Sequence, residues 1–351
     1  MKKINRITAC LLSIAMVMSL AACGGMPTGW KDQSSGQPAE SSVSAKPDGA
    51  VPPSDTDPVS EAEDAAETAT ISADELTSEM DTSSSMWELA QRIFPDLILY
   101  KSSSGKFTYT PINKDLPLCE HDWTNLTRLS TKHKEFEYVE NGETKSVKGI
   151  DVSSYQGEID WEKVAADGVK FAFIRLGYRG YESGKLVLDK EFEKNVTGAI
   201  KSGVAVGIYF VTQAISEEEA VEEADFVMET IRPYNITWPI VLDIEEAGSG
   251  GSNVRTIGLT APERTDYVIA FCERVKEKGY TPMLYCAIRW FVEELELDRL
   301  TDYEKWFAQY FNRPYYPYEF NVWQYTNQGS VSGIKGNVDL NISMKDFGAK
   351  H

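Results

Sequence analysis

From position 147 onward the chain alternates between two hydrophobic periods. Short runs of apolar and β-branched residues (VKGIDVSSY, KFAFIRLGYR, VAVGIYFVTQ, PIVLDIEE, TPMLYCAIRWF) read as strands. Between them lie IDWEKVAADG, DKEFEKNVTGAIKSG, SEEEAVEEADFVMETIRP and APERTDYVIAFCERVKEKGY, whose apolar residues recur at helical spacing. Ser216 and Glu219 form a capping-box pattern at one helix start, Pro233 stops that helix, and Gly203 closes the one before it. Strand-helix alternation over this length predicts an α/β fold, a parallel sheet covered by helices, open or closed into a barrel. Beyond Trp306 the segments WFAQY, EFNVWQYT and GNVDLNIS read as strands with little helix between them. Any barrel is therefore irregular in its C-terminal part.

The front of the chain follows other patterns. MKKINR is basic, TACLLSIAMVMSL is a short apolar run, and Leu20-Ala21-Ala22-Cys23 ends in small residues. That run is too short to span a bilayer and has the order of an export signal, residues 1–22. Its ending resembles a bacterial lipoprotein box, which implies cleavage before Cys23, lipid on that cysteine and attachment to the outer face of the cytoplasmic membrane. Residues 23–85 are rich in Ser, Ala, Pro and acids, with thirteen carboxylates between 26 and 85 against Lys31 and Lys46. Such a segment cannot bury enough apolar surface to order itself, and as a coil of this length it would span roughly 40–45 Å. Residues 86–147 hold a short amphipathic pattern and extended segments, with a hairpin signal at Glu140-Asn141-Gly142-Glu143. They form a small accessory region of no assigned role beside a main domain at 148–351.

Composition changes the picture mainly by exclusion. The chain is 351 residues long with a formal charge of −19, and the front linker carries more than half of it. No basic stripe exists to hold phosphates, which excludes nucleic acid as a partner. The cysteines beyond Cys23 are Cys119, Cys272 and Cys286, whose spacing suggests neither zinc nor a disulfide framework. The histidines are His121, His133 and His351, and none lies between Lys148 and Lys350. That removes Ser-His-Asp, Cys-His and His-bound zinc chemistry from the main domain. No P-loop is present, and neither a cofactor nor a metal is expected.

What remains is chemistry by carboxylates. Sites in parallel α/β folds form at the carboxyl ends of strands. Asp151 ends the first strand, Asp243 and Glu245 end PIVLDIEE, and Asp339 lies in the last. Residues two apart on a strand share a face, so Asp243 and Glu245 are expected to point together. Crowded carboxylates raise at least one pKa, which keeps a proton available for donation. Carboxylate-only catalysis beside aromatic platforms points to glycoside hydrolysis. Tyr155, Tyr178, Tyr181, Tyr209, Trp238, Trp290, Tyr310, Trp323 and Tyr325 lie near strand ends, where exposed members would stack on sugar faces.

These residues resemble a known family. KGIDVSSYQGEIDW, FAFIRLGYRG, GIYF, PIVLDIEE, GYTPMLYCAIRWF, WFAQY and VWQYTNQGSVSGIKGNVDLN are similar, in order, to the motifs of glycoside hydrolase family 25, the Chalaropsis-type lysozymes. The resemblance covers about 147 to 344. It implies an irregular, flattened β/α barrel of TIM-barrel type and an N-acetylmuramidase that cleaves the β-1,4 bond between N-acetylmuramic acid and N-acetylglucosamine in peptidoglycan. It implies Glu245 as general acid and Asp243 as stabiliser of developing positive charge, through the substrate's N-acetyl group. Asp151 and Asp339 would tune pKa values and hold the sugar. Tyr155, Tyr178, Tyr209, Trp238, Trp290, Gln309, Tyr310, Trp323 and Gln324 are the expected substrate-binding residues, acting in a monomer. Phe210-Val211-Thr212-Gln213 and Cys286-Ala287-Ile288-Arg289 depart from the family pattern, and Glu246 beside the acid pair is expected to be solvated. The loop from Gly248 to Gly258 is the expected rim of the groove. The alternative is a wall-binding lipoprotein that keeps the groove without the chemistry, and a cation site on the same acids is a third.

Overall fold

The computed structural model describes residues 88, 92–104, 107–130, 135–247 and 254–349. The expected signal, Cys23 and linker lie outside them, as does the 248–253 part of the expected rim loop. The main domain is a closed eight-stranded barrel. Its strands are β6 (Val147–Val152), β7 (Phe171–Arg179), β9 (Ala205–Val211), β10 (Ile240–Asp243), β11 (Pro282–Ala287), β12 (Glu304–Ala308), β13 (Val322–Gly329) and β14 (Val338–Ser343). A three-residue strand, β8 (Leu186–Leu188), adds to the edge of β7. Neighbours from β6 through β13 are parallel, whereas β14 runs antiparallel to both β13 and β6 and closes the ring. The reversal follows from the missing helix: β13 turns back as a hairpin, with no crossover to restore direction.

Four helices cover the first half: α1 (Trp161–Ala166), α2 (Phe192–Lys201), α3 (Glu217–Ile231) and α4 (Ala261–Glu277). Their termini agree with the sequence signals. Ser216 accepts a hydrogen bond from the Glu219 N–H at the start of α3, and Gly203 takes a positive φ after α2. The Glu219 carboxylate accepts from the Ile215 N–H, one residue before the cap. Two expected strands are shorter than their hydrophobic runs. β10 stops at Asp243, so Glu245 and Glu246 lie past the ladder. β11 stops at Ala287, and Trp290–Glu294 forms a π-helical turn.

Strand alternation builds two cores. Inside the barrel, Phe171, Phe173, Tyr209, Val241, Met283, Trp306 and Val322 fill the lumen. Gly149 and Gly207 make room there: a Cβ on either would stand 2.1 Å from the Phe171 ring or 2.5 Å from the Phe173 ring. Trp238 stacks on Phe171 at 3.9 Å and closes the end from which the parallel strands start. The second core lies between barrel and helices.

The region before 147 supplies the cover that the C-terminal strands lack. β1 (Leu97–Lys101) pairs with β2 (Phe107–Pro111), and β3 (Leu126–Ser130), β4 (Glu135–Glu140) and β5 (Glu143–Thr144) form a separate sheet. Asn141 and Gly142 both take positive φ at the β4–β5 turn, as the Asn-Gly pair predicts. Phe136 meets Trp323 at 5.8 Å and Tyr325 at 5.2 Å, and Trp123 stacks on Phe320 at 5.5 Å. Ile98 and Phe136 thereby belong to the same apolar core as the outer face of the barrel. The Phe136→Ala variant is expected to lose about 3 kcal/mol of stability, the usual result of emptying a buried aromatic site. Chemical denaturation of the whole chain measures this.

Candidate active site

The barrel mouth is where the C-terminal ends of the parallel strands meet the start of β14. Asp151 on β6 and Asp339 on β14 are direct cross-strand partners, so their Cα atoms stand about 5 Å apart and their side chains share the inner face. Asp243 ends β10 in register with Val211 of β9 and Tyr285 of β11. Asp243 and Asp151 are buried, while Asp339 and Glu245 are half-buried at the rim. The four carboxyls lie close enough to act on one another. Burial raises the Asp243 carboxyl well above the ordinary range, and the charges of Glu245 and Asp151 add to this. Burial likewise raises Asp339, and Asp151 and Glu245 add to it.

Asp151 is the most constrained of the four. Its Oδ2 accepts from Gln324 Nε2 at 2.9 Å and from Asn341 Nδ2 at 2.8 Å. Burial pushes its pKa up to about 6 against the lowering effect of those two donors. Both donors are themselves held. Trp306 Nε1 donates to Asn341 Oδ1 at 2.8 Å, and the Tyr285 and Tyr310 hydroxyls each stand 2.9 Å from Gln324 Oε1 as donors. One face of the cluster is cationic. Arg175 on β7 donates to Asp189 Oδ2 and to Ser154 Oγ, and its guanidinium lies over Tyr155 at 5.2 Å and Tyr178 at 5.8 Å. Tyr209, in register with Arg175, is buried among Asp151, Asp243 and Asp339, and burial raises its hydroxyl pKa further.

The expected binding residues separate into two groups. Tyr155, Tyr178, Tyr209, Tyr310 and Gln324 stand at the mouth, with Tyr155 (65% exposed) and Tyr310 (46%) open to solvent. The others lie away from the open mouth. Trp238 is sealed into the opposite end of the lumen against Phe171. Trp323 points outward from β13 against Trp123 and Phe136, and its Nε1 donates to the Gln309 carbonyl. Gln309 is buried, and its Oε1 accepts from the Tyr315 N–H at 2.7 Å. Trp290 packs in the outer core beneath Arg264 and Arg289, where it lines a small cavity with Glu245, Thr212 and Gln213. Arg175, Tyr285 and Asn341 were not anticipated. Each sits two residues from a lumen residue (Phe173, Met283, Asp339), and that spacing is the signal that marks them.

The barrel mouth gathers four acids, with no histidine beside them among the described residues, an arrangement that suits glycoside hydrolysis. The sequence model of the glycosyl hydrolases family 25 matches residues 150–334, more than half of the chain, and the protein belongs to that family. It is similar to the protein YegX of Escherichia coli (strain K12), 29% identical over 208 residues that cover 56% of this chain and 69% of YegX. It is also similar to the autolytic lysozyme of Clostridium acetobutylicum (25% identity, 55% of each chain) and to lysozyme M1 of Streptomyces globisporus (27% identity, 57% and 68%). Among solved structures, the modular autolysin LytC from Streptococcus pneumoniae in complex with a synthetic peptidoglycan ligand superposes with a TM-score of 0.51 at 24% identity. The match covers 71% of this chain and 57% of LytC, and at that identity it is a likeness of fold.

The raised acid pKa values set the sign of the pH dependence. Asp151 moves from an ordinary 3.8 to about 6 on folding, so the folded protein holds a proton that the unfolded chain releases. The stability this contributes is complete below about pH 4 and is lost as pH rises through about 6. An amide at position 151 still accepts from Gln324 and Asn341 but never ionises. Asp151→Asn is therefore expected to raise stability at pH 7 by about 1–3 kcal/mol and to flatten the slope between pH 4 and 7. Thermal melts across that range check both.

Proposed function

We propose that the protein is a peptidoglycan hydrolase, a muramidase that cleaves the β-1,4 bond between N-acetylmuramic acid and N-acetylglucosamine. The observation that carries this reading is the gathering of Asp151, Asp243, Glu245 and Asp339 at one barrel mouth. The family, and the lysozymes among its relatives, support the choice of substrate. Glu245 is the general acid: it sits at the rim, half-buried, where a leaving oxygen can reach it. Asp243 holds the reacting sugar's N-acetyl group and stabilises positive charge as it develops at the anomeric carbon. The Asp243 Oδ1 has no hydrogen-bond partner among the described residues, and an amide N–H would satisfy it. Asp151 and Asp339 keep the cluster from losing all its protons at once, and the open rings of Tyr155 and Tyr310 offer faces for neighbouring sugars.

The domain works in the cell envelope in this reading, exported and tethered by lipid at Cys23 through the acidic linker. Release of reducing ends from purified peptidoglycan, with mass spectrometry of the fragments, tests bond and substrate together. Glu245→Gln is expected to lower kcat by about 10²–10⁴-fold, the usual contribution of a general acid, with the fold intact by circular dichroism. Activity should fall on the alkaline side as the cluster gives up its proton. Full activity in Glu245→Gln would remove that residue from the role.

A further inference from the structure

Past Asp243 the sheet no longer holds the chain that carries the acid. The β10 ladder ends with Asp243 opposite Tyr285, and one further backbone bond runs from the Ile244 N–H to the Tyr285 carbonyl at 3.0 Å. Glu245 comes next, and each residue that flanks it is held. Ile244 is buried on one side. On the other, Glu246 meets Arg289, with Oε2 3.5 Å from Nη2.

Arg289 joins this strand end to a second element. Its Nη1 donates to Glu294 Oε1 at 3.0 Å and lies 4.0 Å from Glu293 Oε2. Glu294 also accepts from Arg264 Nε at 3.1 Å, and the Arg264 Nη2 donates to the Thr256 carbonyl at 2.9 Å. Both guanidiniums lie over the Trp290 ring, at 4.7 Å for Arg289 and 5.2 Å for Arg264. Trp290, Arg264 and Glu245 then line one cavity. Glu293 in turn receives the Ser103 N–H at 3.3 Å, and its carboxylate adds to burial in raising the Tyr100 hydroxyl pKa. Tyr100 and Ser103 belong to the β1–β2 hairpin, outside the 150–334 span of the family match.

We propose that Arg289 is a positioning residue that couples the β1–β2 hairpin to Glu245, running from Tyr100 and Ser103 through Glu293 and Arg289 to Glu246. The role is geometric. Glu246 is 69% exposed, and an ion pair that open contributes little to stability. What the bridge limits is the freedom of Glu246, the residue that follows Glu245. Displacing an acid by a fraction of an ångström lowers the chemical step far more than it lowers binding. The hairpin outside the family core thereby helps to set the geometry of the catalytic acid. The catalytic part of this inference rests on the muramidase reading; the mechanical part does not.

Two measurements on the full chain separate them. Backbone hydrogen exchange at residues 244–247 is expected to speed up about ten-fold in Arg289→Ala and in Glu246→Gln, and measurably in Tyr100→Phe. On peptidoglycan, Arg289→Ala is expected to lower kcat about ten-fold with KM changed less than about two-fold, and the Arg289→Ala/Glu246→Gln double variant to fall no further. Unchanged exchange in Arg289→Ala, or effects of the two substitutions that multiply, would overturn the proposal. If the wild-type protein leaves peptidoglycan intact, the muramidase reading falls, and the exchange data still decide whether the bridge exists.

Discussion

Bringing several carboxyls together out of water is unfavourable unless donors and protons compensate, and the barrel mouth is organised around that constraint. Asp151 Oδ2 is its fixed point. Two amide donors converge on that single oxygen, from β13 and from β14, and each amide is locked by an aromatic donor from another strand. A chain of this kind, with every named member paired, is rigid where an unpaired polar cluster would be soft. The cation nearest the cluster, Arg175, already answers to Asp189 at 2.7 Å, so it offsets the acids from one side without neutralising them. Burial and the neighbouring acids raise Asp243 and Asp339, so those carboxyls keep their protons to a higher pH than free acids do.

The region before residue 147 also follows from packing. A complete α/β barrel surrounds its strands with helices, but this one has none after α4 beyond short turns. The exposed flank of β13 and β14 would then present Trp323, Tyr325 and Phe320 to water. Trp123 and Phe136 take the place of helices there, and Lys148 binds Glu135 at 2.6 Å beside them. The barrel and the small sheet share one apolar interior, so a boundary drawn between them by composition is not a boundary in packing.

Much of this was legible from hydrophobic periodicity. Strand-helix alternation predicts the barrel strands and all four helices, and the placement of acids at strand ends picks out Asp151, Asp243 and Asp339. Glu245 was reached by assuming that β10 continued for two more residues; it stops, and the acid stands beside Asp243 on irregular backbone. The aromatic residues were least legible, because a tryptophan is equally at home in a core and on a platform. Period-2 alternation would have separated them: Gln324 faces the lumen, so its neighbour Trp323 cannot. The reversal of β14 is carried by the absence of a helical pattern between 326 and 338, a weaker signal than a positive one.

The antiparallel seam between β14 and β6 ties together the two ends of the domain. Asp151 belongs to the first barrel strand to leave the ribosome, and its cross-strand partner Asp339 to the last. Until residues 338–343 are made, β6 and β13 are open edges and the Asp151 carboxyl lacks the Asn341 amide. A chain cut before residue 338 therefore lacks both the strand that seals the cylinder and one of its four acids.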